Sequence, residues 1–99
     1  MRRGSTPVNT FDVDIDLTGA TVYVSYEQHG KIIIEKSGED LTITADKIVL
    51  QLSQEDTLAF VPGEVKIQLR YVFPNGTADA SNIISTTAER ILKDGVIQP

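Results

Sequence analysis

Apolar residues fall at every second position over most of this chain, and a period of two marks half-buried β-strands. In FDVDIDLTG the apolar set is Phe11, Val13, Ile15 and Leu17, with Asp12, Asp14 and Asp16 between them and Gly19 closing the run. ATVYVSYEQ puts Val22, Val24 and Tyr26 on one face and Tyr23 on the other. Gln28-His29-Gly30-Lys31 reads as a turn, with Gly30 suited to positive φ. The three adjacent isoleucines of KIIIEK then predict a strand covered on both sides. Ser37-Gly38-Glu39-Asp40 turns again, Leu41, Ile43 and Ala45 alternate, Asp46-Lys47 turns, and Ile48, Leu50 and Leu52 alternate.

The period then breaks. Ser53 is a good helix N-cap, and Asp56 three residues on completes a capping box with a shorter acid than usual. SQEDTLAF is expected to be one helical turn over residues 53–58, with Leu58 and Phe60 inward and Pro62-Gly63 as the stop. EVKIQLRYVF resumes the alternation: Val65, Ile67, Leu69, Tyr71 and Phe73 face one way, Lys66, Gln68 and Arg70 the other. Phe73-Pro74-Asn75-Gly76 fits a turn, and a last strand is expected over about residues 78–87. TAERILKDGVIQP reads two ways. It is either the end of that strand followed by a tail, the favoured reading, or a short helix boxed by Thr86 and Glu89. About seven short strands with turns every 8–12 residues predict an all-β antiparallel sandwich, with an open barrel as the main alternative. The expected organisation is a flexible arm over residues 1–9, a sandwich domain over 10–90, and a tail or docking segment over 91–99.

Composition narrows the chemistry. At 99 residues the chain fits one domain, and 40% hydrophobic with 23% charged residues is a globular profile. It has no cysteine, which excludes disulfides, thiolate metal sites and a Cys nucleophile. A net charge of -5 argues against nucleic acid, whose binders show a basic excess or stripe; Arg2-Arg3 is the one basic pair, on a segment expected to be loose. No run approaches the ~20 apolar residues of a membrane span. MRRGSTPVNTF has no apolar stretch behind its arginines, which is not a secretory pattern.

Each candidate for chemistry has a plainer structural reading. The three aspartates lack the Gly and Glu of a calcium loop, since Leu17 and Tyr23 hold those places. As alternate residues of a strand they form a wet acidic face that discourages edge pairing. His29 is the only histidine and sits in a turn with no GxSxG nucleophile elbow in the chain. Glu55-Asp56 belongs to a helix start, where carboxylates are favoured anyway. Asn75-Gly76-Thr77 matches a glycosylation sequon but reads as a turn. No phosphate-cradling glycine motif occurs, and no catalytic, metal or cofactor residue is assigned. Arg70 lies mid-strand: a covered Arg there must find a carboxylate or carbonyls, whereas an open one joins Lys66 and Gln68 on a polar sheet surface.

The segments MRRGSTP, LSQEDTLAF, EVKIQLR and ERILKDGVI, in that order, resemble a family of small proteins from prophages of Firmicutes, found among tail and baseplate genes. More distantly, the layout is similar to the immunoglobulin-like N-terminal domain of phage baseplate upper proteins. The resemblance implies an immunoglobulin-like sandwich and a non-enzymatic structural or accessory role in the virion or in the bacterial cytoplasm during assembly. Its partners would be other phage structural proteins or further copies of itself. The surfaces expected to dock are the Lys66, Gln68 and Arg70 face and the aliphatics Ile91, Leu92, Val96 and Ile97. The alternative is a sandwich module that binds a ligand such as carbohydrate.

Overall fold

A computed structural model describes residues 1–99. It contains eight strands: β1 (Val8–Asp12), β2 (Thr21–Gln28), β3 (Lys31–Ser37), β4 (Thr42–Ile43), β5 (Lys47–Gln51), β6 (Gly63–Val72), β7 (Ala78–Ala80) and β8 (Ile84–Ala88). One helix, α1 (Gln54–Leu58), lies between β5 and β6, and a 3-10 turn spans Gly38–Asp40. A three-stranded sheet has the order β1-β5-β4 and a five-stranded sheet the order β3-β2-β6-β7, with β8 also on β6; all these pairings are antiparallel. In chain order the strands take the places B, C, C′, D, E, F and G of an immunoglobulin domain, as sheets BED and C′CFG, with the last strand in two pieces. The all-β sandwich expected from the alternation is therefore the fold, with the immunoglobulin-like layout that the resemblance implies, and the open barrel is not.

The core is the set of inward positions. Phe11, Ile48 and Leu50 come from one sheet and Val22, Val24, Tyr26, Val65, Ile67 and Leu69 from the other, with Leu52 and Phe60 at the α1 end. The chain has neither the cysteines nor the tryptophan of antibody domains. Tyr26 is the largest buried side chain, and its hydroxyl crosses the sandwich to donate to Asn9 Oδ1 at 2.7 Å. The β2–β3 hairpin turns on His29 (φ 53) and Gly30 (φ 78). Positive φ at both central residues is the type I′ pattern that matches strand twist.

Four expectations are corrected. The first strand does not run from Phe11 to Leu17, because ladder pairing covers Val8–Asp12 alone. Asp16 Oδ1 accepts from the Thr18 N–H (2.9 Å) and hydroxyl (2.6 Å), and such local side-chain bonds compete with strand structure. Only Asp12 of the three aspartates is thus in a strand, and no three-rung acidic ladder forms. Next, β3 is not covered on both sides but is an edge strand. Tyr26 pairs with Ile34 and Glu27 with Ile32, leaving Ile33 as the extra residue of a bulge. The bulge re-phases the strand, so Ile34 is buried while Ile32 is 56% exposed.

The third correction concerns residues 1–9, which lie against the body and are not a loose arm. Arg3 Nε donates to Phe60 O at 2.6 Å and its terminal nitrogen to Leu58 O at 3.0 Å. These are carbonyls at the C-terminal end of α1 that the helix itself leaves without partners. Thr57 Oγ1 donates to Ser5 O (2.8 Å) and the Leu52 N–H to Pro7 O (3.0 Å). Gly4 has φ +76, and a Cβ there would meet Ile91 Cδ1 at 3.3 Å, so the close approach favours glycine. The last correction is that the final strand breaks at residues 81–83, where Ser81 is stitched to Leu69 by Ser81 N–H to Leu69 O and Leu69 N–H to Ser81 Oγ. No helix follows Thr86: strand gives way to an irregular segment, the favoured of the two readings.

Candidate functional site

The alternation of β6 sends Lys66, Gln68 and Arg70 to the outer face of the five-stranded sheet. In register, Glu27 lies opposite Lys66, Ser25 opposite Gln68 and Tyr23 opposite Arg70. Gln68 is pinned by donating to Ser81 O at 2.9 Å. Arg70 is exposed and takes part in none of the ion pairs, so it belongs to the open polar surface. A shallow concavity of about 390 Å³ is lined by Tyr23, Ile32, Glu35, Arg70 and Val72 among others. The bulge that turns Ile32 outward is what makes this face partly apolar. A lining that combines Glu35 and Arg70 with Tyr, Ile and Val can receive another macromolecule.

The C-terminal candidates lie elsewhere. Ile91 packs at Gly4, and Ile97 exchanges two bonds with the Gln54 side chain of α1 (3.1 and 2.9 Å). Asp94 sits 3.5 Å from Arg3. Leu92 is 92% exposed and Val96 and Ile97 are also exposed. The structure does not bring these four residues together with Lys66, Gln68 and Arg70; they are two separate surfaces.

The acidic groups resolve individually. Lys47 Nζ donates to Asp12 Oδ1 at 2.7 Å, and that hydrogen bond and charge hold the ammonium above its ordinary range. The two Thr18 bonds, hydroxyl first, hold the Asp16 carboxyl below its ordinary range. No three His, Cys, Asp or Glu side chains gather as a metal site would need. His29 is exposed at the hairpin tip. Asn75 Oδ1 accepts from the Thr77 N–H at 2.9 Å, as a turn residue does.

Asp56 closes the capping box: Ser53 Oγ accepts from the Asp56 N–H (3.0 Å) and Asp56 Oδ2 from the Ser53 N–H (2.9 Å). Lys36 Nζ stands 3.0 Å from the same oxygen. Burial pushes the Asp56 carboxyl up, but the Ser53 bonds and Lys36 outweigh it and leave it below 3.8. A depressed carboxyl stabilises fully above its unfolded value and loses that contribution as pH falls through the folded value. Asp56→Asn is therefore expected to be less stable than wild type at neutral pH, with the gap narrowing below pH 3.8; melting temperatures across that range check it. Ser53→Ala, which breaks the same box from the other side, is expected to cost about 1 kcal/mol in urea unfolding.

Three structurally important polar residues carry little sequence signal of their role. Gln28 (2% exposed) and Thr57 (0%) are buried yet fully bonded, and Arg3 is drawn into the fold. A polar residue ending an alternating strand in an inward phase, as Gln28 does, is the one hint available.

No family model matches this chain, and no curated protein does. Among solved structures it is similar to the V domain of amphioxus IgVJ-C2, at 10% identity over 92% of this chain and 97% of that one, with a TM-score of 0.37. A likeness at that level adds nothing to the fold assignment, which stands on strand order. No helix of the structure is long and apolar enough to cross a membrane.

Proposed function

We propose that this protein is a non-enzymatic docking module, a tail- or baseplate-associated structural or accessory protein of a phage. It would act in the bacterial cytoplasm during assembly or in the virion. The phage assignment rests on the sequence resemblance. The observation that carries the docking role is the outer face of the five-stranded sheet, where an unpaired Arg70 lies among exposed Tyr23, Ile32 and Val72. Interfaces are enriched in Arg and aromatic residues of this kind. No cofactor is required by this reading. The test is co-purification of the tagged protein from an induced lysogen, with mass spectrometry. Identified tail or baseplate proteins are expected with wild type and are expected to be lost with Arg70→Glu. Capture that ignores Arg70→Glu, or that contains no virion protein, overturns the reading.

Carbohydrate binding is the second reading, and the Tyr23, Glu35 and Arg70 lining of the same concavity is what favours it. A glycan array separates the two. No binding is expected, and a reproducible glycan hit abolished by Tyr23→Ala would replace docking as the primary role.

A further inference from the structure

The three-stranded sheet has an open side. β1 is its terminal strand, with β5 on one flank and no strand on the other. The Leu52 N–H bonds Pro7 O and the Val13 N–H bonds Asp46 O, so the odd residues of this stretch aim their backbone groups at β5. Backbone direction alternates along a strand, which leaves the N–H and C=O groups of Val8, Thr10 and Asp12 pointing outward from the sheet. Such an edge is a template for another strand. Beneath it a cleft of about 420 Å³ opens between the sheets. Its floor is apolar, with Phe11, Leu69, Tyr71 and the 44%-exposed Ile84. Its charged lining residues are Asp12 and Asp14, and no Lys or Arg lines it. Asp12 is taken by Lys47, whereas Asp14 has no hydrogen bond or ion pair from any side chain.

The occupant that fits is extended, apolar on the side toward the cleft, and cationic on the side toward Asp14. The chain itself holds a segment that can supply both the aliphatics and the cation in Arg90 to Ile97. Drawn out as a strand, it puts Arg90, Leu92, Asp94 and Val96 on one face and Ile91, Lys93 and Ile97 on the other. It has no regular structure after β8. Gly95, now at φ +84, can adopt the extended conformation without steric hindrance. Arg90 and Asp94 fall on the inward face as well, where the cleft is lined by Asp12 and Asp14 and by the Asn82 amide. β1 spans Val8–Asp12, roughly 17 Å, so the eight-residue segment is long enough to run its length and reach past it to Asp14.

We infer that residues 90–97 of a second copy add as a strand along the free edge of β1, with Leu92 and Val96 over the cleft and Lys93 against Asp14. The inference rests on the docking reading and names one partner for it, another copy of this chain. The contact joins two different surfaces of the chain, so a reciprocal exchange closes a twofold dimer and a one-way exchange builds rings or filaments. The segment's present bonds to Gln54 and Arg3 are exchanged in the process.

Sedimentation velocity from micromolar to millimolar protein tests this. Wild type is expected to associate. Leu92→Glu and Asp14→Lys are each expected to weaken association at least about tenfold. Asp14→Lys combined with Lys93→Asp is expected to restore it. Leu92 is 92% exposed and Asp14 is exposed, so unchanged urea midpoints are expected to show both variants folded. A wild type that stays monomeric at millimolar concentration overturns the inference, as does association indifferent to both variants. Arg70→Glu keeps the two readings apart. Self-association lost with Arg70→Glu and untouched by Leu92→Glu sinks the edge contact and leaves the outer face standing. Self-association that follows Leu92 and Asp14, with no phage protein captured through Arg70, does the opposite.

Discussion

Phe60→Ala is expected to remove about 3–5 kcal/mol of unfolding free energy, a large part of what a domain of this size has. Phe60 is 1% exposed and ends the segment after α1. Its ring lies 6.1 Å from that of Tyr26, centroid to centroid and tilted by 51°, a favoured aromatic geometry. Truncation removes the transfer energy of the ring and leaves a cavity beside the largest buried side chain. That cavity cannot collapse easily. Tyr26 is tethered across the sandwich to Asn9, and the backbone of Phe60 is held by Arg3. Tyr26→Phe, which keeps the ring and removes only the Asn9 bond, is expected to cost about 1 kcal/mol. Leu92→Ala, an apolar change at a 92%-exposed site, is expected to stay within about 0.5 kcal/mol. Urea unfolding of the three variants checks the order. A Phe60→Ala loss under about 1 kcal/mol would mean that the α1 end is not part of the cooperative core.

The alternation read correctly where a strand has one wet and one dry face along its whole length. β2 and β6 are such strands, and their inward and outward residues fall as the sequence says. α1 was legible for a different reason: the Ser53–Asp56 box closes within three residues, so its signal is local. The reading failed where local pattern competes with distant partners. Asp14 and Asp16 keep the rhythm of a strand, yet Asp16 turns the chain through Thr18. Ile32 looks like core until the bulge at Ile33 rotates it outward. Arg3 looks free because its acceptors are Leu58 O and Phe60 O, which lie more than fifty residues away. The candidate docking face was legible for the same reason as β6. The edge of β1 was not, because strand neighbours are a property of topology and not of rhythm.

Gln28→Leu is expected to cost about 2–4 kcal/mol although it replaces a buried polar group by an apolar one of similar size. Gln28 is 2% exposed at the end of β2. Its amide donates to Val61 O (2.8 Å) and Glu64 O (3.2 Å), and its carbonyl accepts from the Val61 N–H at 2.9 Å. Leucine returns nothing to those three backbone groups, and buried partners left unmade cost more than the bonds were worth. Gln28→Glu separates this account from simple packing. A carboxylate still accepts from Val61 but meets two carbonyl oxygens with no proton to give. Its folded pKa is therefore raised above the unfolded value of about 4.3. A raised acid is tolerated below the unfolded value, and the penalty grows as pH rises through the folded one. Gln28→Glu should thus be well below wild type at neutral pH and approach it toward pH 4, while Gln28→Leu should show no such recovery; melting curves at the two pH values decide. Parallel behaviour of the two variants would mean that the bonds to Val61 and Glu64 contribute little. The bonds matter for the surface as well as for stability. Val61 to Glu64 is where the chain leaves α1 and starts β6, so Gln28 fixes the register at which Lys66, Gln68 and Arg70 reach the outer face.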